Sequence, residues 1–196
     1  MLLVDNASTD DSISQVRKKY PHVKIIQNEV NSGFAGGCNL GGNLAAGKYL
    51  LILNNDTTHE PGWINPMVEI LEHDEELSSV QPKILNFHNR TQFDYAGASG
   101  GFMDILCFPF SRGRIFDSIE DDDGQYDDPM EIFWASGTAF LTRKDLFIKI
   151  GGFDDVLFAH MEEIDYHWKC QLAGWKVCVQ PSSVIYHMGG ATLEYA

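Results

Sequence analysis

Apolar runs that break abruptly at polar residues divide this chain into strand and helix signals. Residues 2–4 form a short apolar run that stops at Asp5 and Asn6. Ser8, Thr9 or Asp10 can cap the helix that follows, in which Ile13, Val16 and Tyr20 share one face and which Pro21 ends. Residues 23–28, "VKIIQN", give a second strand. The small-residue stretch "NSGFAGGCNLGGNLAAG" opens on a glycine turn, continues as a helix and ends on Gly47; "KYLLILNND" is a third strand. Beyond Pro61, Trp63, Met67, Ile70 and Leu71 line the inner face of a helix that runs to about His73, and "SSVQPKIL" supplies another strand. This alternation predicts an α/β fold with a mostly parallel central sheet and helices on both faces.

The pattern breaks down over residues 86–131. Glycines and the acidic run "EDDDGQYDDP" read there as hairpins and a solvated loop, since the spacing of a calcium loop is absent. Order returns with the strand signal in "IFWASGTAFLTR", a short helix closed by Gly151 and Gly152, and a helix in "MEEIDYHWKCQLAGW" with Ile164, Trp168 and Leu172 at helical spacing. A final pair of strands is expected in "KVCVQPSSVIYHMGG".

Composition narrows the function classes. A chain of 196 residues, 44% of them hydrophobic, suits a single domain with a proper core. Apolar runs are too short for a membrane span, and the start lacks a secretory leader, so a cytoplasmic location is the expectation. The net charge of -14 argues against nucleic acid as a partner. A phosphate-bearing ligand would need a divalent cation to mediate its contact with so acidic a protein. Cys38, Cys107, Cys170 and Cys178 are widely spaced and read as reduced thiols.

Several polar clusters fall where strands end, which is where open α/β sheets bind ligands. Asp5 and Asn6 follow the first strand, Asn54, Asn55 and Asp56 the third, and His187 the last. Glu162, Glu163 and Asp165 stand at a helix start, with Glu163 and Asp165 two places apart and so on different faces. Each has a plain structural explanation when taken alone: a helix cap, an asparagine turn, a core histidine, acids that complement a helix dipole. Their joint occurrence in this order is the informative feature.

The motifs "VDNASTDDS", "NSGFAGGCNLG", "YLLILNNDT", "WASGTAFLTRKDLFIKIGGFDD", "FAHMEEIDYHWKCQLAGW" and "VIYHMGGATL" span nearly the whole chain. Together they resemble family 2 glycosyltransferases of the GT-A fold, in the rhamnosyltransferase-like and galactofuranosyltransferase-like branch. The resemblance implies an inverting, metal-dependent transferase that moves a sugar from a UDP- or dTDP-sugar to a saccharide acceptor. By that resemblance Asp5, with Asn6 beside it, would accept a hydrogen bond from a uracil or thymine imide, for which a carboxylate's acceptor-only chemistry is suited. Asp56 would bind Mn2+ or Mg2+, with His187 completing the metal shell. Asn54 or Asn55 would bond the ribose or a metal-bound water, Gly33 would let the backbone approach the donor, and Trp134 would wall the sugar pocket. Glu163 stands where the family's catalytic base is usually aspartate, and Glu162 and Asp165 remain candidates for that role.

The implied acceptor is a lipid-linked or nascent polysaccharide, which is compatible with peripheral membrane association. Family members open with a further strand and helix, so the single catalytic domain at 1–196 would be N-terminally truncated, with an irregular hairpin and acidic-loop insertion at 86–131. A sheet edge exposed in this way could be covered by a homodimer. The rivals are a catalytically inactive glycosyltransferase-like protein, a sugar nucleotidyltransferase whose glycine-rich basic phosphate loop is missing here, and a lectin-like module, which would not need the metal motif and the helix acids together.

Overall fold

A computed structural model describes residues 1–189 of the chain; residues 190–193, the end of "VIYHMGGATL", lie outside the described part. In chain order the elements are β1 (Leu2–Asp5), α1 (Ser12–Lys19), β2 (Lys24–Gln27), α2 (Gly33–Leu44), β3 (Tyr49–Leu53), β4 (Thr57–His59), α3 (Asn65–His73) and β5 (Leu77–Asn86). The hairpin strands β6 (Gly101–Met103), β7 (Pro109–Ser111), β8 (Arg114–Ile115) and β9 (Ser118–Ile119) follow. The chain continues through β10 (Met130–Ile132), β11 (Ala139–Arg143), α4 (Lys144–Ile150), α5 (Glu162–Leu172) and β12 (Lys176–His187).

The central sheet has the order β10-β12-β5-β11-β3, with β4 also paired to β12. It is mixed, which corrects the expectation of mostly parallel pairing. Strand β12 runs parallel to β5, while β11 lies antiparallel between β3 and β5, and β10 and β4 are antiparallel to β12. β1 and β2 run parallel to each other, and β3, β5 and β12 share one direction in the central sheet. β4 reverses because it follows β3 by a tight turn, whereas β10 and β11 enter the sheet in the opposite direction from the long irregular stretch after β5. β1 and β2 form a separate parallel ribbon, so β3 has β11 as its one ladder partner among the described residues.

The expected final pair of strands is one strand, β12, with a register shift between Gln180 and Val184. Pro181 sits in that shift, where its missing N–H costs no ladder bond. Two buried layers sandwich the sheet. Phe140, Phe147, Phe153 and Tyr166 pack beneath α4 and α5 on one face, and Trp63, Met67 and Leu71 of the α3 side cover the other. Each such side chain contributes on the order of 2–3 kcal/mol on burial. Helix α1 buries none of its residues fully, so its apolar face of Ile13 and Val16 is only half covered. All four cysteines are free thiols.

Candidate active site

The turn after β3 is held from both sides. Asn54 donates its backbone N–H to the Thr138 carbonyl (2.9 Å), and the Thr57 hydroxyl donates to the Asn54 carbonyl (2.8 Å). β4 then pairs with the end of β12, matching Thr57 to His187, and the Met188 N–H donates to the Asp56 carbonyl (3.0 Å). This ladder brings Asp56 and His187 together, with Asp56 Oδ1 3.3 Å from His187 Nε2. Both are buried, and Asp56 Oδ1 has no hydrogen-bond partner. A buried carboxylate oxygen without a donor is costly unless a cation meets it. On the other side of the ring, His187 Nδ1 lies 3.1 Å from Asp94 Oδ2. Burial pulls the His187 pKa down, but the hydrogen bond to Asp94 and the charges of Asp94 and Asp56 outweigh it and leave it above the ordinary value.

A second cluster opens α5. Phe158, His160 and Met161 all take positive φ angles (54°, 73° and 73°), a strained run that delivers the chain into Glu162. Glu162 is buried, and neither Glu162 Oε2 nor Glu163 Oε2 has a hydrogen-bond partner. Burial, and then the adjacent Glu162 carboxylate, push Glu163 up to about 7, and burial likewise raises Glu162. A carboxyl poised near neutrality suits proton transfer. Asp165 is not brought to this pair: it faces outward and accepts from Lys169 one turn on (2.6 Å). His167, a turn after Glu163, is fully buried with Nδ1 2.6 Å from the Glu163 carbonyl, and burial lowers its pKa to about 3.

The third cluster lies where β1 ends. Asp5 is buried, accepts from the Ser8 N–H (3.0 Å) and the Gln27 amide (3.3 Å), and is held below its ordinary pKa chiefly by the Ser8 bonds. Asn6 donates to the Gly33 carbonyl (2.7 Å) and accepts from Asn28 and Ser32. Gly33 has φ 71°, and a Cβ there would lie 2.3 Å from the Phe158 carbonyl oxygen. That contact ties the Asp5 and Asn6 turn to the strained run before Glu162. Trp134 is buried against Gly101, its indole N–H donating to the Phe102 carbonyl (2.9 Å).

The model for "Glycosyl transferase family 2" matches residues 1–151. The chain belongs to glycosyl transferase family 2. It is also similar to an N-acetylglucosaminyl-diphospho-decaprenol L-rhamnosyltransferase of Mycobacterium tuberculosis, 24% identical over 203 residues that cover 95% of this chain and 66% of that protein. The chain thus spans just under two thirds of that relative. Among solved structures, GalNAc-T7 with UDP, GalNAc and Mn2+ superposes with a TM-score of 0.73 at 17% identity, covering 95% of this chain and 37% of that one. A mannosyltransferase of Pyrobaculum calidifontis in complex with GDP-Man and Mn2+ gives 0.65 at 16% identity, covering 97% and 48%. The fold is GT-A.

Within this family 2 domain, one loop joins the clusters, and its connections are long-range. Thr138 holds the Asn54 turn, a Cβ placed on Gly137 would lie 3.9 Å from the Glu162 carboxylate, and the Ser136 hydroxyl donates to the Ala96 carbonyl (2.6 Å). Gln81, buried on β5, accepts from the Ser136 N–H (2.7 Å) and donates to the Gly97 carbonyl (2.9 Å). The sequence names the "WASG" motif but holds no local signal for Gln81 or Asp94. The acidic run also differs from its solvated reading. Lys83, 4% exposed in its side chain, pairs with Asp122 (2.8 Å) and with Asp127, because a buried ammonium needs counter-charges.

Proposed function

We propose that this domain transfers a sugar from a nucleoside-diphosphate donor, UDP- or dTDP-linked, to a saccharide acceptor with inversion and with the help of Mn2+ or Mg2+. The observation that carries the reading is Asp56 Oδ1, buried, unpartnered and 3.3 Å from a histidine nitrogen at the ends of neighbouring strands. Among the described residues no three His, Cys, Asp or Glu side chains gather as a complete metal site. Asp56 and His187 are therefore a partial donor set, one carboxylate and one imidazole, which fits a cation whose remaining positions are filled by phosphate oxygens and water. Once bound, such an ion would neutralise charge on the departing diphosphate. The Mn2+ named with two of the GT-A neighbours is in keeping with this.

In this reading Asp5 accepts from the base imide, and Asn54 or Asn55 meets the ribose. Glu163 takes the proton of an acceptor hydroxyl as that oxygen attacks the anomeric carbon opposite the nucleotide. Its raised pKa favours this role, and Asp165, engaged by Lys169, has the weaker claim. The rhamnosyltransferase relative's name suggests a polyprenyl-diphosphate-linked saccharide as the acceptor class. No helix among the described residues is long and apolar enough to cross a membrane. That β3 has one ladder partner among the described residues favours a second reading, in which the donor pocket beside β1 is incomplete and the domain is inactive. Isothermal titration with UDP, dTDP and GDP, each with and without Mn2+, separates the two. Mn2+-dependent binding of UDP or dTDP is expected; no binding to any of the three would leave the inactive reading.

A further inference from the structure

The ring of His187 is gripped on both nitrogens. Nδ1 lies 3.1 Å from Asp94 Oδ2, and Nε2 lies 3.3 Å from Asp56 Oδ1. Asp94 comes from the irregular stretch after β5, far from either motif in sequence, and it is buried. Its seat is rigid. The Asp94 N–H donates to the Ile84 carbonyl (3.0 Å), and Asp94 Oδ2 also accepts from the Ala96 N–H (2.7 Å). The Ala96 carbonyl in turn accepts from Ser136 of the loop that holds the Asn54 turn.

We infer that Asp94 is a positioning residue that fixes His187 with its proton on Nδ1 and its bare Nε2 turned toward Asp56. Both ring nitrogens face carboxylates, which offer only acceptors, but the Nδ1–Asp94 contact makes a hydrogen bond while Asp56 Oδ1 has no donor, so the one proton of a neutral ring sits on Nδ1. On a neutral ring, Nε2 then presents a lone pair to Asp56 Oδ1, itself without a donor. Two acceptors left facing each other in a buried site repel, and a cation placed against both relieves that repulsion. Orientation of a ligand imidazole through its other nitrogen is a general way to set its tautomer and raise its basicity. The inference rests on the metal reading for what Nε2 holds, but the tautomer itself does not depend on it.

The test is 15N side-chain NMR of the histidines in the metal-free protein, with Mn2+ titration of the same samples. At a pH high enough to leave its ring neutral, wild-type His187 is expected as the Nδ1–H tautomer. Asp94→Asn, whose carbonyl oxygen can still accept from Nδ1–H, should keep it, and Asp94→Ala should lose it. Mn2+ affinity should fall about 10–100-fold in Asp94→Ala, with much of the loss restored in Asp94→Asn. An Nε2–H tautomer in the wild type overturns the inference without recourse to any variant. So does an Asp94→Ala protein that keeps the Nδ1–H form or binds Mn2+ as tightly as the wild type. If the wild type bound no Mn2+ but showed the Nδ1–H tautomer that Asp94→Ala loses, the metal reading would fail and the orienting role would stand.

Discussion

Replacing Glu163 by glutamine isolates the cost of keeping a half-buried acid, its Oε2 shut off from solvent, next to another. Glu163 is pushed from the ordinary 4.5 to about 7, first by burial and then by Glu162. A displacement of that size corresponds to about 3 kcal/mol against the ionised form, an upper figure because the two acids share the effect. The sign follows from the direction: the folded protein binds this proton more tightly than the unfolded chain. Stability from it is fully present below pH 4.5 and is lost as pH rises through about 7. Glu163→Gln cannot lose that proton, and its amide keeps the shape of the protonated acid. Urea unfolding of both proteins from pH 4 to 9 should therefore show near-equal stability at the acid end. The variant should be about 1–3 kcal/mol more stable at pH 8 and above. The same variant should lose about 10²–10⁴-fold in transfer while still binding donor, as expected for removal of a base. A stability difference that does not change with pH would refute the account of Glu163 as a raised acid, and normal transfer would remove it from catalysis.

Other perturbations test other parts of the arrangement. Lys83 is more deeply buried than its partners, with side-chain exposure of 4% against 14% for Asp122 and 64% for Asp127. Removing both acids, which strands the ammonium, should cost about 3–5 kcal/mol in urea unfolding, whereas Lys83→Met, which leaves the acids free to meet water, should cost clearly less; equal costs would contradict the burial argument. Gly33→Ala puts a Cβ 2.3 Å from the Phe158 carbonyl oxygen at a φ of 71°, and should lower stability by about 2 kcal/mol or more, read as a fall in Tm. Asp56→Ala should abolish the Mn2+ dependence of nucleotide binding in calorimetry while leaving the far-ultraviolet circular dichroism unchanged.

What the sequence makes legible here is what local chemistry determines. The strand before Asn54, the stop of α4 at Gly151 and the break of pattern after residue 86 all follow from apolar period and turn residues, and they recur in the structure. Helix spacing puts Glu163 and Asp165 on different faces, but that Asp165 is the outward one is shown only by its pairing with Lys169. The bond from Asp94 to His187 spans 93 residues of chain and that from Gln81 to Ser136 spans 55, so no local pattern marks either. Lys83 was illegible for the same reason. Its burial depends on an acidic loop some forty residues on, and an acidic run read by itself is a solvated face.

The direction of β11 decides whether the site exists at all. Had that strand run parallel to β3 and β5, as simple alternation suggests, its entering loop would sit at the N-terminal ends of its neighbours, across the sheet from Asp56. Running antiparallel, with Ala139 beside Leu53, it begins where β3 ends. The preceding residues 136–138 then reach the Asn54 turn, the Ala96 carbonyl and the Glu162 carboxylate from one short loop. The same reversal in β4 carries Asp56 to His187. The Asp56–His187 pair and the raised acid pair are therefore linked by strands that break the parallel pattern. A change that slips the β11 register by one residue would turn Phe140 from the layer under α4 and α5 into the layer under α3 and shift the 136–138 loop, disturbing both clusters at once.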